Sequence, residues 1–492
     1  MSHLRRVLFI SAALVSALMP IRVVAQVDSS SQAVDQLSKR LDELRTEINK
    51  IEAQLNELKT GKAGPTPTAA APSTGTPAKQ YGTIASHSPA QGPTSKQVGE
   101  ATATYNVFSE DTLAAARFNN VPLDPKYHGF FVLPGTQTLL KIGGYFKTDF
   151  INDLKPAGNT DAFIPASFPV PQATSVNNAT VSIRPTRLSL DFRVPSTKLG
   201  EVRFYLEGDM FGTNATTPRL RHAYAQVRNI LIGQTFSNFM DPDAFPDTLD
   251  FQGPNGMVSL RNPQFRYGIA LSPSTTFYFS LEKPSSDVIF TTPEFSAQSN
   301  APTRDGAIRL RQEFERGHFQ VAAIFRNIGV SLPDGRHDSV FGWGINTSLG
   351  AKTFGKDNVI VAVAAGHGIS RYLQDTSGLG IDAEVASGTS NHLEATPAIG
   401  VEASYQHYWR KTLRSSAFYS YAGVNNTILA TATTYNHGTY SGANLIWNPY
   451  GSFNVGAEFL YGWVVDQNGL KANVPRIQLS AKYSFVKTDP DR

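Results

Sequence analysis

The residues best suited to chemistry are charged, and two sets stand out by their spacing. The first is cationic: Lys147, Arg187, Arg193, Arg203, Arg221, Arg266, Arg309, Arg311 and Arg326 sit in the polar phase of stretches where polar and apolar residues alternate. The second is acidic: Asp241, Asp243, Asp247 and Asp250 lie in DPDAFPDTLDFQGPNG (241–256), between two alternating stretches. Arg keeps its charge at any relevant pH and presents a planar fork that matches a carboxylate, so a ladder of Arg facing water selects anions. Acids held opposite such a wall would set up a transverse field; acids touching it would pair and cancel. The residue types leave both arrangements open, and both point to recognition of small ions.

Signals for bond-making chemistry are thin. The ten His are scattered, with no H-E-x-x-H and no metal-ligand spacing, and Gly-x-Ser-x-Gly is absent. Phosphate-loop and dinucleotide fingerprints are missing too, so neither a metal nor a cofactor is expected. His222, close to Ser-bearing strands, is the strongest trace of a hydrolase. The formal charge of +4 is dispersed among acids, with no basic tail for nucleic acid.

The elements that must position these charges are strands. From Leu140 the period is two, with Leu140, Ile142, Phe146 and Phe150 on one face and Lys141, Tyr145, Lys147 and Asp149 on the other. RLSLDFRV (187–194), VRFYLEGDM (202–210), AIRLRQEFE (307–315), SFNVGAEFLYGWVV (452–465) and RIQLSAKYSF (476–485) repeat the pattern. A soluble sandwich also alternates, but here connections run short, then long, and Trp343, Trp409, Trp447 and Trp463 fall near strand ends like an aromatic girdle. Counting runs gives about sixteen strands, an even number as in outer-membrane barrels. The spacing predicts an all-β fold, a transmembrane antiparallel β-barrel over 140–486, whose wide lumen side chains alone do not fill. Residues 237–257, about twenty without a period and rich in Asp, Pro, Gly and Asn, follow the fifth strand. So long a break inside a β domain is commonly functional, and it is expected to be a constriction loop folded into the lumen.

The chain before the barrel divides cleanly. Residues 1–25 have a basic start, a short apolar core and a small-residue cleavage site, and predict a signal peptide. Export without any Cys excludes a disulfide framework. In 26–60, Val34, Leu37, Leu41, Leu44, Ile48, Ile51, Leu55 and Leu58 step by three and four, an a/d seam for an α-helical coiled coil. Ile at both an a and a d position leans toward three strands, hence a homotrimer with this stalk in the periplasm. Residues 61–104, rich in Pro, Thr and Ala, are expected to be a disordered tether, and 105–139 a barrel-entry segment.

With these features together, the sequence resembles the DcaP-type porins, trimeric outer-membrane barrels with an N-terminal periplasmic coiled coil. The residues that carry the resemblance are the heptads of 34–58, LKIGGYFKTDF at the first strand, RLRHAYAQVRNILIGQTFSNF (219–239), DPDAFPDTLDFQGPNG and RNPQFRYG (261–268). The resemblance implies a homotrimer, passive uptake and a preference for small anions such as dicarboxylates. One departure is VKTDPDR after Phe485, where porins often end on an aromatic residue. The reading is an anion-leaning diffusion porin in contact with outer-membrane lipid. Its rivals are an envelope tether whose stalk grips peptidoglycan or another periplasmic partner, and an outer-membrane lipid hydrolase.

Overall fold

The computed structural model describes Thr46 and residues 129–485, apart from the loop segments 173–176, 213–216, 289–297, 302, 332–334, 386–391 and 426–433. The expected signal peptide, heptad seam, tether and most of the entry segment lie outside the described residues. So does the tail after Phe485.

Sixteen antiparallel strands close into one barrel. They are β1 (Leu139–Asp153), β2 in two pieces (Asn178–Ser182 and Arg187–Thr197), β3 (Gly200–Asp209), β4 (Arg219–Val227) and β5 (Ile230–Phe236). There follow β6 (Arg261–Ser272), β7 (Thr275–Glu282), β8 (Asp305–Phe314), β9 (Gly317–Ser331), β10 (His337–Lys352) and β11 (Asn358–His367). The last five are β12 (Pro397–Arg410), β13 (Leu413–Val424), β14 (Tyr435–Tyr450), β15 (Phe453–Asp466) and β16 (Lys471–Ser484). Closure is made by β1 against β16, from Tyr145 opposite Ser484 to Asp153 opposite Arg476. With no free edge, every strand finds its backbone partners inside the sheet, the condition for crossing lipid with strands.

The alternation sorts side chains as the period predicts. Phe146, Phe150, Phe204, Leu206, Ile345, Phe459 and Leu479 stand exposed on the outside. Their polar neighbours Lys147, Asp149, Arg203, Glu207, Asn346, Glu458 and Ser480 are buried on the inside. A soluble protein would not leave so continuous an apolar surface bare; in a bilayer it is the wetted face. Trp409 and Trp447 lie at the end with the short turns, Trp343 and Trp463 at the end with the long loops.

The interior is not uniform. On β1 to β8 the inward positions are mostly charged or phenolic. On β9 to β16 the half toward the long loops presents Ile324, Ala364, Ala398, Phe418, Leu460 and Val474 instead. These form one buried apolar cluster with Phe163 and Phe168 from the β1–β2 loop, Phe239, Met240 and Val258 from the β5–β6 loop, and Ile369, Tyr372 and Leu373 from the β11–β12 loop. Three long loops therefore pack inside the barrel, where the sequence pointed to one.

Candidate functional site

The β5–β6 connection runs across the interior and is fastened at three places. At the first, Asp241 accepts from Arg311 Nη1 at 3.1 Å, Ser348 Oγ at 2.5 Å and the Asp243 amide at 3.0 Å, and its Oδ2 lies 2.8 Å from His318 Nε2. Asp243 lies 2.7 Å from the same Arg311 guanidinium. At the second, Asp247 accepts from Arg414 Nε at 2.5 Å and Gln406 Nε2 at 2.8 Å. At the third, the Leu249 and Asp250 amides donate to Glu458 at 2.7 and 2.8 Å, while Lys147 Nζ and Gln478 donate to the Leu249 carbonyl at 2.5 and 3.0 Å. Asp250 accepts from the Phe163 amide at 3.0 Å, and Arg476 Nη1 lies 3.9 Å away. The loop acids thus pair at close range with barrel cations, the second of the two arrangements the residue types left open.

Small residues let the loop come this close. An added Cβ on Gly400 of β12 would lie 2.0 Å from the Gly256 carbonyl oxygen, and one on Gly462 of β15 would lie 2.9 Å from the Phe163 ring. Both positions require a residue without a side chain. The other two inward loops complete the packing. Ser259 and Gln374 exchange backbone hydrogen bonds with Tyr372 and Met257, and the Ala166 amide donates to Asp375 at 3.1 Å. Burial pushes the Asp375 carboxyl up to about 6, against the pull of hydrogen bonds from the Ala166 amide, Tyr435 and Asn255.

The opposite wall carries the cations. Arg193 binds Asp191 at 2.7 Å and Glu201 at 2.6 Å, and Arg203 shares Asp191 at 2.9 Å. Arg203 also lies over the rings of Tyr205 and Tyr224, at 4.9 and 5.4 Å. Arg221 reaches Glu207 at 2.8 Å and Asp209 at 2.9 Å, and Arg187 lies 4.0 Å from Glu207. Arg266 donates to Gln264 at 3.0 Å and to the Phe236 carbonyl. Arg309 lies 4.0 Å over the Tyr278 ring. Arg326 is set apart from these, paired with Asp305 at 3.2 Å and Asp382 at 2.9 Å beside the inward loops.

A register shift between Glu207 and Gly208 places a bulge on β4. Two residues then oppose one, so Arg221 and His222, consecutive in sequence, are both buried. His222 Nδ1 lies 3.0 Å from Thr235 Oγ1, and its ring packs edge-on to Phe236. The hydroxyl at Nδ1 is thus a threonine's rather than a serine's, and Glu207 lies 4.0 Å from Nε2. Among the described residues no cluster of three or more His, Asp or Glu is placed to hold a metal.

Between the loop tip and the wall lies a cavity of about 100 Å³, lined by Lys147, Arg187, Arg414 and Lys482, by Tyr145 and Phe251, and by Asp247 and Asp250. Sequence reasoning missed Arg414 and Lys482, and also the phenols Tyr205, Tyr224 and Tyr278. Tyr205 gave a usable signal, since it occupies the polar phase of its strand.

The barrel and its loops can be set beside known proteins. The family model for the DcaP outer membrane protein matches residues 132–485, the whole barrel. The chain belongs to the DcaP family. The crystal structure of the outer membrane channel DcaP of Acinetobacter baumannii shares its fold, with a TM-score of 0.65, 23% identity, and coverage of 72% of this chain and 99% of that one. More distant are OmpT of Vibrio cholerae with its loop L8 deleted (TM-score 0.45, 10% identity, 71% and 100% coverage) and an anion-selective porin from Comamonas acidovorans (0.45, 9%, 71% and 100%). No curated protein matches the sequence. For a DcaP-family barrel the lipid is that of the outer membrane, with the short turns on the periplasmic side and the long loops outside.

Proposed function

We propose that this DcaP-family protein is a passive outer-membrane channel that favours small organic anions, including dicarboxylates, and works as a homotrimer. The observation that supports it best is the concentration of seven inward arginines on β2 to β8. Arg187, Arg193, Arg203, Arg221, Arg266, Arg309 and Arg311 come from β2, β3, β4, β6 and β8, while three loops pack on the strands opposite. Whatever passes must run along the guanidinium-rich side, where a carboxylate exchanges its water for fixed donors. Lys147 and Arg187 line a cavity together with the loop tip. Asp241, Asp243, Asp247 and Asp250 serve in this reading to hold the constriction in place, so they shape the opening more than they set its field.

The trimer and its periplasmic stalk rest on the heptad seam from Val34 to Leu58. Purified protein in planar bilayers is expected to insert with conductance in steps of three, and small dicarboxylates should compete with chloride for the current. Independent single steps would argue against the trimer, and no conductance at all against the channel. Deleting 27–60 separates the tether reading: a channel keeps its conductance, whereas a tether loses its activity. The hydrolase reading is tested separately: lipid hydrolysis by the purified protein would support it, and none is expected from a channel.

A further inference from the structure

Most inward arginines already have a carboxylate. Arg193, Arg203, Arg221, Arg311 and Arg326 each form ion pairs of 3.2 Å or less. Among the described residues Arg266 and Arg309 form none. Arg266 gives its hydrogen bonds to neutral oxygens of Gln264 and Phe236. Arg309 is 5% exposed, and its Nε is buried without a hydrogen-bond partner. The two lie near enough to repel each other, on β6 and β8 with only β7 between them.

Leaving a buried guanidinium donor unsatisfied costs on the order of 1–3 kcal/mol, more when charged. A fold that could cover it with a neighbouring acid, as it does for Arg311 with Asp241, Asp243 and Glu313, does not do so here. The nearest loop acids are committed to Arg311, and Glu282 accepts from the Asn238 amide at 2.8 Å and Ser280 at 3.0 Å on one oxygen, Oε1, while its Oε2 is buried without a hydrogen-bond partner. With neither Arg266 nor Arg309 in an ion pair among the described residues, an acceptor supplied from the lumen would have no bound carboxylate to displace. Tyr278, directly opposite Arg309 across the β7–β8 ladder, places its ring 4.0 Å from the guanidinium, within cation–π range.

We infer that Arg309, beside Tyr278 and seconded by Arg266, is a docking point for one carboxylate of a passing solute and the main determinant of anion preference, while the ion-paired arginines build the wall. This rests on the anion-channel reading and adds to it the residues that do the selecting. A planar oxyanion fits because the guanidinium edge offers parallel N–H groups that a carboxylate accepts two at a time.

The test uses the full-length protein in planar bilayers, with potassium chloride gradients for selectivity and potassium acetate for binding. Wild type is expected to prefer chloride and to show conductance that saturates with acetate. Arg309→Gln should lose most of the chloride preference. Arg309→Lys keeps the charge and the barrel but loses the planar fork, so chloride preference should survive while half-saturation by acetate shifts up about tenfold. Arg266→Gln should shift both readouts less than Arg309→Gln. Arg316→Gln, which removes the same charge from an exposed turn, should change neither. Saturation and selectivity unchanged in both Arg309 variants would overturn the inference and leave the channel reading standing. A wild type without anion preference would overturn the parent reading instead.

Discussion

The two halves of this barrel solve different problems with the same strand grammar. On β1 to β8 the inward positions carry arginines in a lattice of acids and phenols, as in Arg193, Asp191 and Arg203 over Tyr205 and Tyr224. On β9 to β16 they carry Gly, Ala, Ile and Phe toward the long-loop end, and three loops pack onto them. One half is a charged inner surface, which the proposed reading places along the path; the other packs against the inward loops. The lesson is that the interior of a wide barrel is filled by building an apolar core on one side, and in the proposed reading this leaves a passage along the opposite wall. Polar pins at Asp241, Asp247 and Leu249–Asp250 then fix the β5–β6 loop where its edge meets the cations.

The contrast can be broken most severely at a pin. Asp241→Ala removes the acceptor shared by Arg311, His318 and Ser348; Arg311 keeps Asp243 and Glu313, so the cost is about 1.5–3 kcal/mol for each charge-assisted hydrogen bond lost. The β5–β6 loop should loosen, and single-channel conductance should rise while the barrel stays folded. A smaller effect of the same kind is expected for Gly400→Ala, whose new Cβ meets the Gly256 carbonyl; overpacking of this sort costs about 1–3 kcal/mol. Unchanged conductance in both variants would mean that the β5–β6 loop does not limit the path.

On the charged wall, Arg221→Gln leaves Glu207 and Asp209 short of positive charge, so the reversal potential in a salt gradient should move toward cations without a gain in conductance. The smallest expected effect concerns Asp375. Its folded value of about 6 lies above its ordinary 3.8, so the folded protein binds more protons than the unfolded between those values. The contribution of Asp375 to stability is therefore fully present below pH 4 and is lost as pH rises through about 6. Asp375→Asn should raise the thermal midpoint of the folded barrel at pH 7.5 and leave it nearly unchanged at pH 4. An equal shift at both pH values would contradict the burial argument.

Much of this was legible in the sequence. The period of two placed Phe146 and Phe204 outside and Lys147 and Arg203 inside, and the long-short rhythm of connections matched an even-stranded barrel. The Asp-Pro-Gly composition of 237–257 marked the loop that crosses the interior. What could not be read was pairing at long range. That Asp247 meets Arg414, that the Ala166 amide meets Asp375, and that Gly400 clears Gly256 depends on where separate loops dock, and no local pattern encodes it. Nor did alternation separate the paired arginines from Arg266 and Arg309. That distinction follows from cross-strand register, including the bulge that turns both Arg221 and His222 inward.

The central claim, that the passage runs along the guanidinium-rich wall, is tested most directly by the zero-current potential of the wild-type channel across a tenfold potassium chloride gradient. The account predicts a potential of the sign set by chloride, weakening as salt rises and screens the wall. A potential of the sign set by potassium would contradict it.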